Sequence, residues 1–170
     1  ERLLDENQPG LLHKDKLKHI SIGNLEDDLV NLRDADWIAE AIVERLDINK
    51  VLYKKIDVVR KKGSIVSSNT STIPITQLAE GLSRPEQFCG IHFCNPVERM
   101  PLVEVVRGGK TSDATIDAVV RYAAWIGKLP IVVNDCPGFV IHRLLLLYMN
   151  EALRVDCEGV ALAKFDRVAV

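Results

Sequence analysis

His92 and Glu104 are the residues of this sequence whose types and positions speak most directly of chemistry. His92 closes the apolar run Phe88–His92 and is followed by the polar turn Cys94-Asn95-Pro96, while Glu104 interrupts the apolar run Leu102-Val103-Glu104-Val105-Val106. A carboxyl inside such a run either faces solvent on an edge or is paired, because an isolated buried carboxylate is costly. Paired with His92 it would fix the imidazole tautomer and stabilise the protonated ring, the arrangement of a histidine general base. Ser68-Asn69-Thr70-Ser71 follows another short apolar run. Small hydroxyl and amide residues at the carboxyl end of a strand bind ligands in open α/β sheets, and the same residues also make ordinary helix-capping turns. The pattern leaves both readings open. Glu40 and Glu44, in Trp37-Ile38-Ala39-Glu40-Ala41-Ile42-Val43-Glu44, form a second polar interruption that could meet a ribose, a loop amide or solvent. Cys89, His92 and Cys94 crowd together, but in a strand positions 92 and 94 share a face that 89 does not, so no metal is expected.

Composition narrows the classes. The 170 residues are 47% hydrophobic and 27% charged with a formal net charge of -2. That balance lacks the basic footprint of a nucleic-acid binder, so no nucleic-acid partner is expected. No run of about 18 apolar residues is present, which speaks against a spanning helix. Four cysteines without paired spacing fit a reducing compartment, the bacterial cytoplasm first and the mitochondrion as alternative. The chain starts Glu1-Arg2-Leu3 without Met, and Asp5-Glu6-Asn7 cuts off any leader-like run; it reads as processed, trimmed or a fragment. The sequence has no G-x-G-x-x-G, no G-x-x-x-x-G-K-[ST] and no G-x-S-x-G.

The elements that must hold these residues alternate between β-branched runs and helical periods. Strands are predicted at His19–Ile22, Trp37–Ile42, Ser64–Ser67, Phe88–His92, Leu102–Val106 and Pro130–Val133. Between them, Asp47 is expected to cap a helix Lys50–Arg60 with an apolar stripe of Val51, Leu52, Ile56 and Val59. Ile75–Leu82 reads as a short helix after Pro74. Ser112 or Asp113 would cap a helix carrying Ile116, Val119, Val120, Ala123 and Ile126, closed by Gly127. The alternation predicts an α/β fold with a largely parallel sheet. From Phe139 to Cys157 one long helix is expected, apolar on nearly every face around Leu144–Tyr148 and so buried by something larger than the sheet. A domain boundary is placed at Asp135. Residues 1–18 read as a polar amphipathic segment broken at Pro9-Gly10, and Val160–Val170 as the beginning of a further helix.

Three stretches together resemble the NAD-dependent 3-hydroxyacyl-CoA dehydrogenases of fatty-acid β-oxidation. They are Ser68-Asn69-Thr70-Ser71-Thr72-Ile73-Pro74-Ile75, Arg84-Pro85-Glu86-Gln87-Phe88-Cys89-Gly90-Ile91-His92-Phe93-Cys94-Asn95-Pro96 and Met100-Pro101-Leu102-Val103-Glu104. Gly127-Lys128, Asn134-Asp135-Cys136-Pro137-Gly138-Phe139 and Asn150-Glu151-Ala152 continue the likeness, which spans roughly residues 34 to 160 and is closest to the dehydrogenase part of multifunctional fatty-acid oxidation proteins. The resemblance implies a partial Rossmann-like NAD-binding domain over residues 1–135, then the start of an all-helical domain over 136–170. It implies oxidation of an L-3-hydroxyacyl-CoA to the 3-ketoacyl-CoA, with NAD as cofactor and an acyl-CoA as substrate. A homodimer, or a place in a multifunctional fatty-acid oxidation complex, follows from the same likeness. His92 then matches the catalytic base and Glu104 its partner, Ser71 and His142 the substrate-binding positions, and Ala41, Ile42, Val43, Glu44, Ser71 and Asn95 the cofactor contacts.

The sequence departs from that family at three points. The family's amino-terminal strand, glycine-rich loop and acidic ribose-binding residue have no counterpart here, and without them weak NAD binding is expected. The family's P-G-F-x-x-N-R becomes Pro137-Gly138-Phe139-Val140-Ile141-His142-Arg143, so His142 stands where an Asn bonds the substrate. A Lys often found five residues after the Glu44 position is Asn49, and Lys50 lies about 100° further round the helix. The alternative to an enzyme is a non-catalytic remnant or structural protein of the same fold.

Overall fold

The computed structural model describes residues 14–160 together with Lys164 and Arg167. The expected break at Pro9-Gly10 and most of the expected helix after Val160 lie outside the described residues. Five strands, β1 (Trp37–Glu40), β2 (Ile65–Ser68), β3 (Phe88–Phe93), β4 (Leu102–Arg107) and β5 (Leu129–Asn134), form one sheet in chain order. The β1–β2, β2–β3 and β4–β5 pairs are parallel, and β3–β4 is antiparallel. Among the described residues four α-helices accompany it: α1 (Leu46–Val59), α2 (Ile75–Leu78), α3 (Asp113–Trp125) and α4 (Ile141–Cys157). The α/β expectation and five of the six predicted strands therefore hold.

Side-chain alternation divides the core into two layers. One face of the sheet carries Ile38, Val66, Phe88, Val106 and Val133 against Leu52, Tyr53 and Ile56 of α1 and Ile75 and Leu78 of α2. The other carries Cys89, Ile91, Val103 and Val105 against Ile116, Val119 and Ala123 of α3. Cys89 thus lies on the face away from His92, as strand parity requires. Gly90 allows the first layer to close. A Cβ there would stand 2.7 Å from Cβ of Val106 and 2.8 Å from Cδ1 of Ile75, so the start of α2 rests directly on the strand that carries His92.

Several expectations are corrected. His19–Ile22 is not a strand: Lys14–His19 forms a 3-10 helix, and Ile22 is 98% exposed. A four-residue run with neither a partner strand nor an apolar surface beneath it has nothing to stabilise its extended form. Helix α1 begins four residues earlier than expected, and Asp47 does not cap it; its carboxylate pairs with the Arg45 guanidinium at 2.7 Å. The buried stripe is Asn49, Leu52, Tyr53 and Ile56, whereas Val51 is exposed. The α2 helix stops at Leu78. In α3 the cap is Ser112, whose hydroxyl oxygen accepts the Thr115 N–H, and Ile126 lies beyond the helix. Helix α4 begins at Ile141 because Phe139 takes a left-handed φ of 45°. It has no buried residue, and Leu144, Leu146, Leu147 and Leu153 are each at least 60% exposed. Nothing among the described residues covers that face.

Candidate active site

The antiparallel register of β3 and β4 sets His92 directly opposite Glu104, so both side chains leave the sheet on the same face. His92 is 5% exposed and Glu104 0%. Nδ1 of His92 lies 2.8 Å from Oε2 of Glu104. A ring nitrogen facing a carboxylate carries the proton, which leaves Nε2 as the acceptor. The Ser71 hydroxyl, 3.2 Å from Nε2, supplies the donor. Oε1 of Glu104 accepts the Val140 N–H at 2.8 Å and the Ile141 N–H at 3.0 Å. These are amides at the amino end of α4, which has unsatisfied donors and favours negative charge. One carboxylate therefore orients the imidazole and seats the following helix.

That seat explains the backbone strain beside it. Left-handed φ at Phe139 costs about 1–2 kcal/mol, and the conformation is held because Val140 and Ile141 bond to Glu104 while the Phe139 ring, 1% exposed, lies 5.9 Å from that of His92. The turn also brings in His142, whose ring centroid is 5.1 Å from that of His92. Nδ1 of His142 is buried and has no hydrogen-bond partner among the described residues.

The other predicted residues gather at the carboxyl ends of β1 and β2. A cleft of about 180 Å³ is lined there by Glu40, Ala41, Ile42, Glu44, Asn49, Ser68, Asn69, Thr70, Ser71 and Ile73. Four of the six expected cofactor contacts (Ala41, Ile42, Glu44 and Ser71) are in this lining. Val43 and Asn95 are exposed and outside it. Asn95 lies in the β3–β4 connection, which the Lys128 ammonium fastens by donating to the carbonyls of Val97 and Met100. Glu44 Oε1 accepts four hydrogen bonds from Thr70, Ser71 and Thr72. Burial raises its pKa, but these donors prevail and hold the carboxyl at about 2. Lys50 does not replace the missing lysine; it pairs with Glu80 at 2.7 Å, while Asn49, 2% exposed, accepts the Arg45 N–H.

Three supporting groups have partners that the sequence pattern does not specify. Glu40 is 5% exposed; its Oε2 accepts the Tyr53 hydroxyl at 2.5 Å and the Ser68 hydroxyl at 2.8 Å, and its Oε1 accepts the Ile42 N–H at 2.5 Å. Asn69 ties β2 to β3, its side-chain oxygen accepting the Phe93 N–H at 3.0 Å. Asp135 caps α2 through the Ile75 and Thr76 N–H groups, both at 2.8 Å. Each leaves a local signal, Glu40 as an interruption of an apolar run, Asn69 in a polar turn and Asp135 as an acidic residue ahead of Pro137-Gly138, but none of these signals names the partner.

A polar cleft at the ends of parallel strands is where open α/β sheets hold nucleotides, and comparison with known proteins agrees. The description "3-hydroxyacyl-CoA dehydrogenase, NAD binding domain" matches residues 2–136. The chain is 45% identical over 161 residues to the fatty acid oxidation complex subunit alpha of Idiomarina loihiensis, covering 94% of this chain and 22% of that protein. It superimposes on (S)-3-hydroxybutyryl-CoA dehydrogenase from Ralstonia eutropha with a TM-score of 0.82 at 40% identity, over 94% of this chain and 56% of that one. For 3-hydroxybutyryl-CoA dehydrogenase from Escherichia coli the TM-score is 0.76 at 36% identity, over 79% of this chain and 28% of that one. The chain thus spans about a fifth of the curated relative and about half of the first of these solved structures. With its family description matched over most of its length, the chain belongs to the 3-hydroxyacyl-CoA dehydrogenases, within their NAD-binding domain.

Proposed function

We propose that this chain carries the proton-transfer site of an NAD-dependent oxidation of an L-3-hydroxyacyl-CoA to the 3-ketoacyl-CoA in fatty-acid oxidation. The single observation that carries the reading is His92 held between two partners, Glu104 on Nδ1 and Ser71 on Nε2. His92 is the general base: Nε2 takes the substrate hydroxyl proton, and Glu104 balances the charge the ring then acquires. Ser71 stands beside the same nitrogen and orients the substrate oxygen before transfer. His142 offers a ring nitrogen to the oxygen of the reacting carbon, in the position of the family's Asn. Ala41, Ile42, Val43, Glu44, Ser71 and Asn95 are assigned to the cofactor, and the cleft at the ends of β1 and β2 fits its ribose and nicotinamide portion. NAD, when bound there, supplies the acceptor for the hydride leaving C3.

The division at Asp135, a homodimer or place within a multifunctional fatty-acid oxidation assembly, and a bacterial cytoplasmic setting belong to the same reading. The exposed leucines of α4 support a larger assembly. Among the described residues no helix is long and apolar enough to cross a membrane. A second reading, a folded but non-catalytic relative, draws on the unpartnered Nδ1 of His142 beside the base.

The test is oxidation of NADH with acetoacetyl-CoA by the purified chain, alone and joined to a glycine-rich front half taken from a relative. Turnover that disappears in His92→Ala is the expected result in the joined form. Turnover indifferent to His92→Ala would overturn the assignment of the base, and a folded joined protein without turnover would favour the second reading.

A further inference from the structure

Glu44 is engaged by the protein itself. Its Oε1 accepts the Thr70 hydroxyl at 2.5 Å, the Ser71 N–H at 2.9 Å, the Thr72 N–H at 2.8 Å and the Thr72 hydroxyl at 2.9 Å. Thr70, 9% exposed, extends the set, its hydroxyl oxygen accepting the Ile73 N–H at 2.9 Å. One oxygen on the loop after β1 thus gathers the whole backbone turn after β2. In the middle of that turn is Ser71, whose hydroxyl reaches Nε2 of His92 at 3.2 Å. Downstream, the turn is fixed by Ile75 resting on Gly90 and by Asp135 capping α2. Upstream, Asn69 is held by the Glu40 carbonyl and by the Phe93 N–H, and Glu44 is the group that gathers Thr70, Ser71 and Thr72.

We propose that Glu44 is a positioning residue for the catalytic base: it sets Ser71 on His92 through the acceptor geometry of Oε1, and its effect does not depend on its charge reaching the cofactor. This rests on the assignment of His92 as the base. All four donors converge on one oxygen, so a neutral side chain of the same length with an oxygen at that point can hold the turn. An uncharged, shortened side chain cannot. Charge-assisted hydrogen bonds are stronger than neutral ones, so the neutral replacement holds the turn less firmly but in the same place.

The test uses Glu44→Ala, Glu44→Gln and Thr72→Val in the full chain joined to the front half. It reads kcat and KM for NADH with acetoacetyl-CoA, and separately the ¹⁵N signal of His92 Nε2 in the substrate-free proteins. Glu44→Ala is expected to lower kcat by roughly ten- to a hundredfold, the scale of a misplaced reacting group, and to move the Nε2 signal toward an unbonded imidazole. Glu44→Gln is expected to recover more of kcat than Glu44→Ala and to return the Nε2 signal toward that of the wild type, since the oxygen acceptor is kept. Thr72→Val, which removes one donor and leaves the carboxylate, should move the signal in the same direction by less. The proposal is overturned if Glu44→Gln is as damaged as Glu44→Ala with KM for NADH raised, since charge toward the cofactor is then the function. It is equally overturned if Glu44→Ala folds and leaves the Nε2 signal unchanged. Should Glu44→Ala not fold, an unmoved signal in Thr72→Val overturns it. If none of the proteins turns over, the functional reading fails while the nitrogen signal still decides the proposal.

Discussion

Two carboxylates are buried in this sheet, and they are satisfied in different ways. Glu104, fully buried, accepts from one imidazole and two amides at the start of α4. Glu40, 5% exposed, accepts from one amide, one tyrosine and one serine. Each has three donors, which is what a buried carboxylate requires. The difference lies in whether a donor can change its proton near neutral pH. An imidazole can; a phenol, an alcohol and an amide cannot. Glu104 therefore belongs to a group able to change its proton near neutral pH, as the proposed function requires, and Glu40 to one that fixes the ends of β1 and β2. Burial of a charged residue is common to both, so burial alone does not identify a catalytic carboxylate.

The strongest way to break the comparison is to neutralise each carboxyl without changing its shape. Glu104→Gln keeps an oxygen for the α4 amides but removes the charge that balances a protonated His92. We expect kcat to fall by about 10²–10⁴-fold, the range of general acid–base catalysis, with the urea midpoint moved less than in Glu40→Gln, because His92 can shift its proton to Nε2 and accept the new NH₂ group at Nδ1. Glu40→Gln should do the reverse. Its NH₂ group would face a donor that needs an acceptor, and a buried group left unsatisfied costs about 1–3 kcal/mol. Urea unfolding should show that loss, while kcat measured on the folded fraction stays within a few-fold of wild type. Equal kcat losses in the two variants would erase the distinction.

The two carboxylates also differ in how far they could be read from the sequence. His92 and Glu104 were legible because each interrupts an apolar strand, and the register of two adjacent strands is enough to pair them. Glu40 interrupts a strand just as clearly, but its partners come from α1 and β2, and no periodicity specifies which helix residue will meet it. The expected apolar stripe of α1 in consequence does not single out Tyr53. The late start of α4 was hidden for a related reason: Phe139 is left-handed because two amides after it bond to Glu104, a tertiary contact. Ser112 as a cap was readable, being purely local. The apolar run Leu144–Tyr148 calls for cover by something larger than the sheet, and its leucines stay exposed among the described residues because exposure depends on what packs against a helix.

Tyr53→Phe sharpens the comparison by removing a donor from Glu40 with no loss of volume. Burial first, and then the Glu40 carboxyl, raise the Tyr53 pKa well above its ordinary value of 10. The folded state therefore holds this proton more tightly than the unfolded chain does. The associated stability is complete below pH 10 and is lost as pH rises toward the higher folded value. The variant should lose about 1 kcal/mol at pH 7, a typical net hydrogen bond, and its stability should fall less steeply above pH 10. The same alkaline slope in both proteins would show that Tyr53 ionises without constraint and that Glu40 does not depend on it.

The smallest effect is expected at His142, which stands on the Glu104 side of the comparison. Its Nδ1 is buried without a partner among the described residues, 5.1 Å between ring centroids from His92, whose two nitrogens both have partners. A donor or acceptor left unmet in that position contributes nothing to the resting protein and is set for an incoming oxygen only in one tautomer. Asn offers an NH₂ donor on a shorter side chain and removes the unmet ring nitrogen. In the chain joined to a front half, His142→Asn should therefore raise kcat by about two- to fivefold, a difference of roughly 0.4–1 kcal/mol in barrier. Steady-state rates at saturating acetoacetyl-CoA check this. A fall would mean that the imidazole ring itself, through its contact with His92, is the better partner for the proposed base.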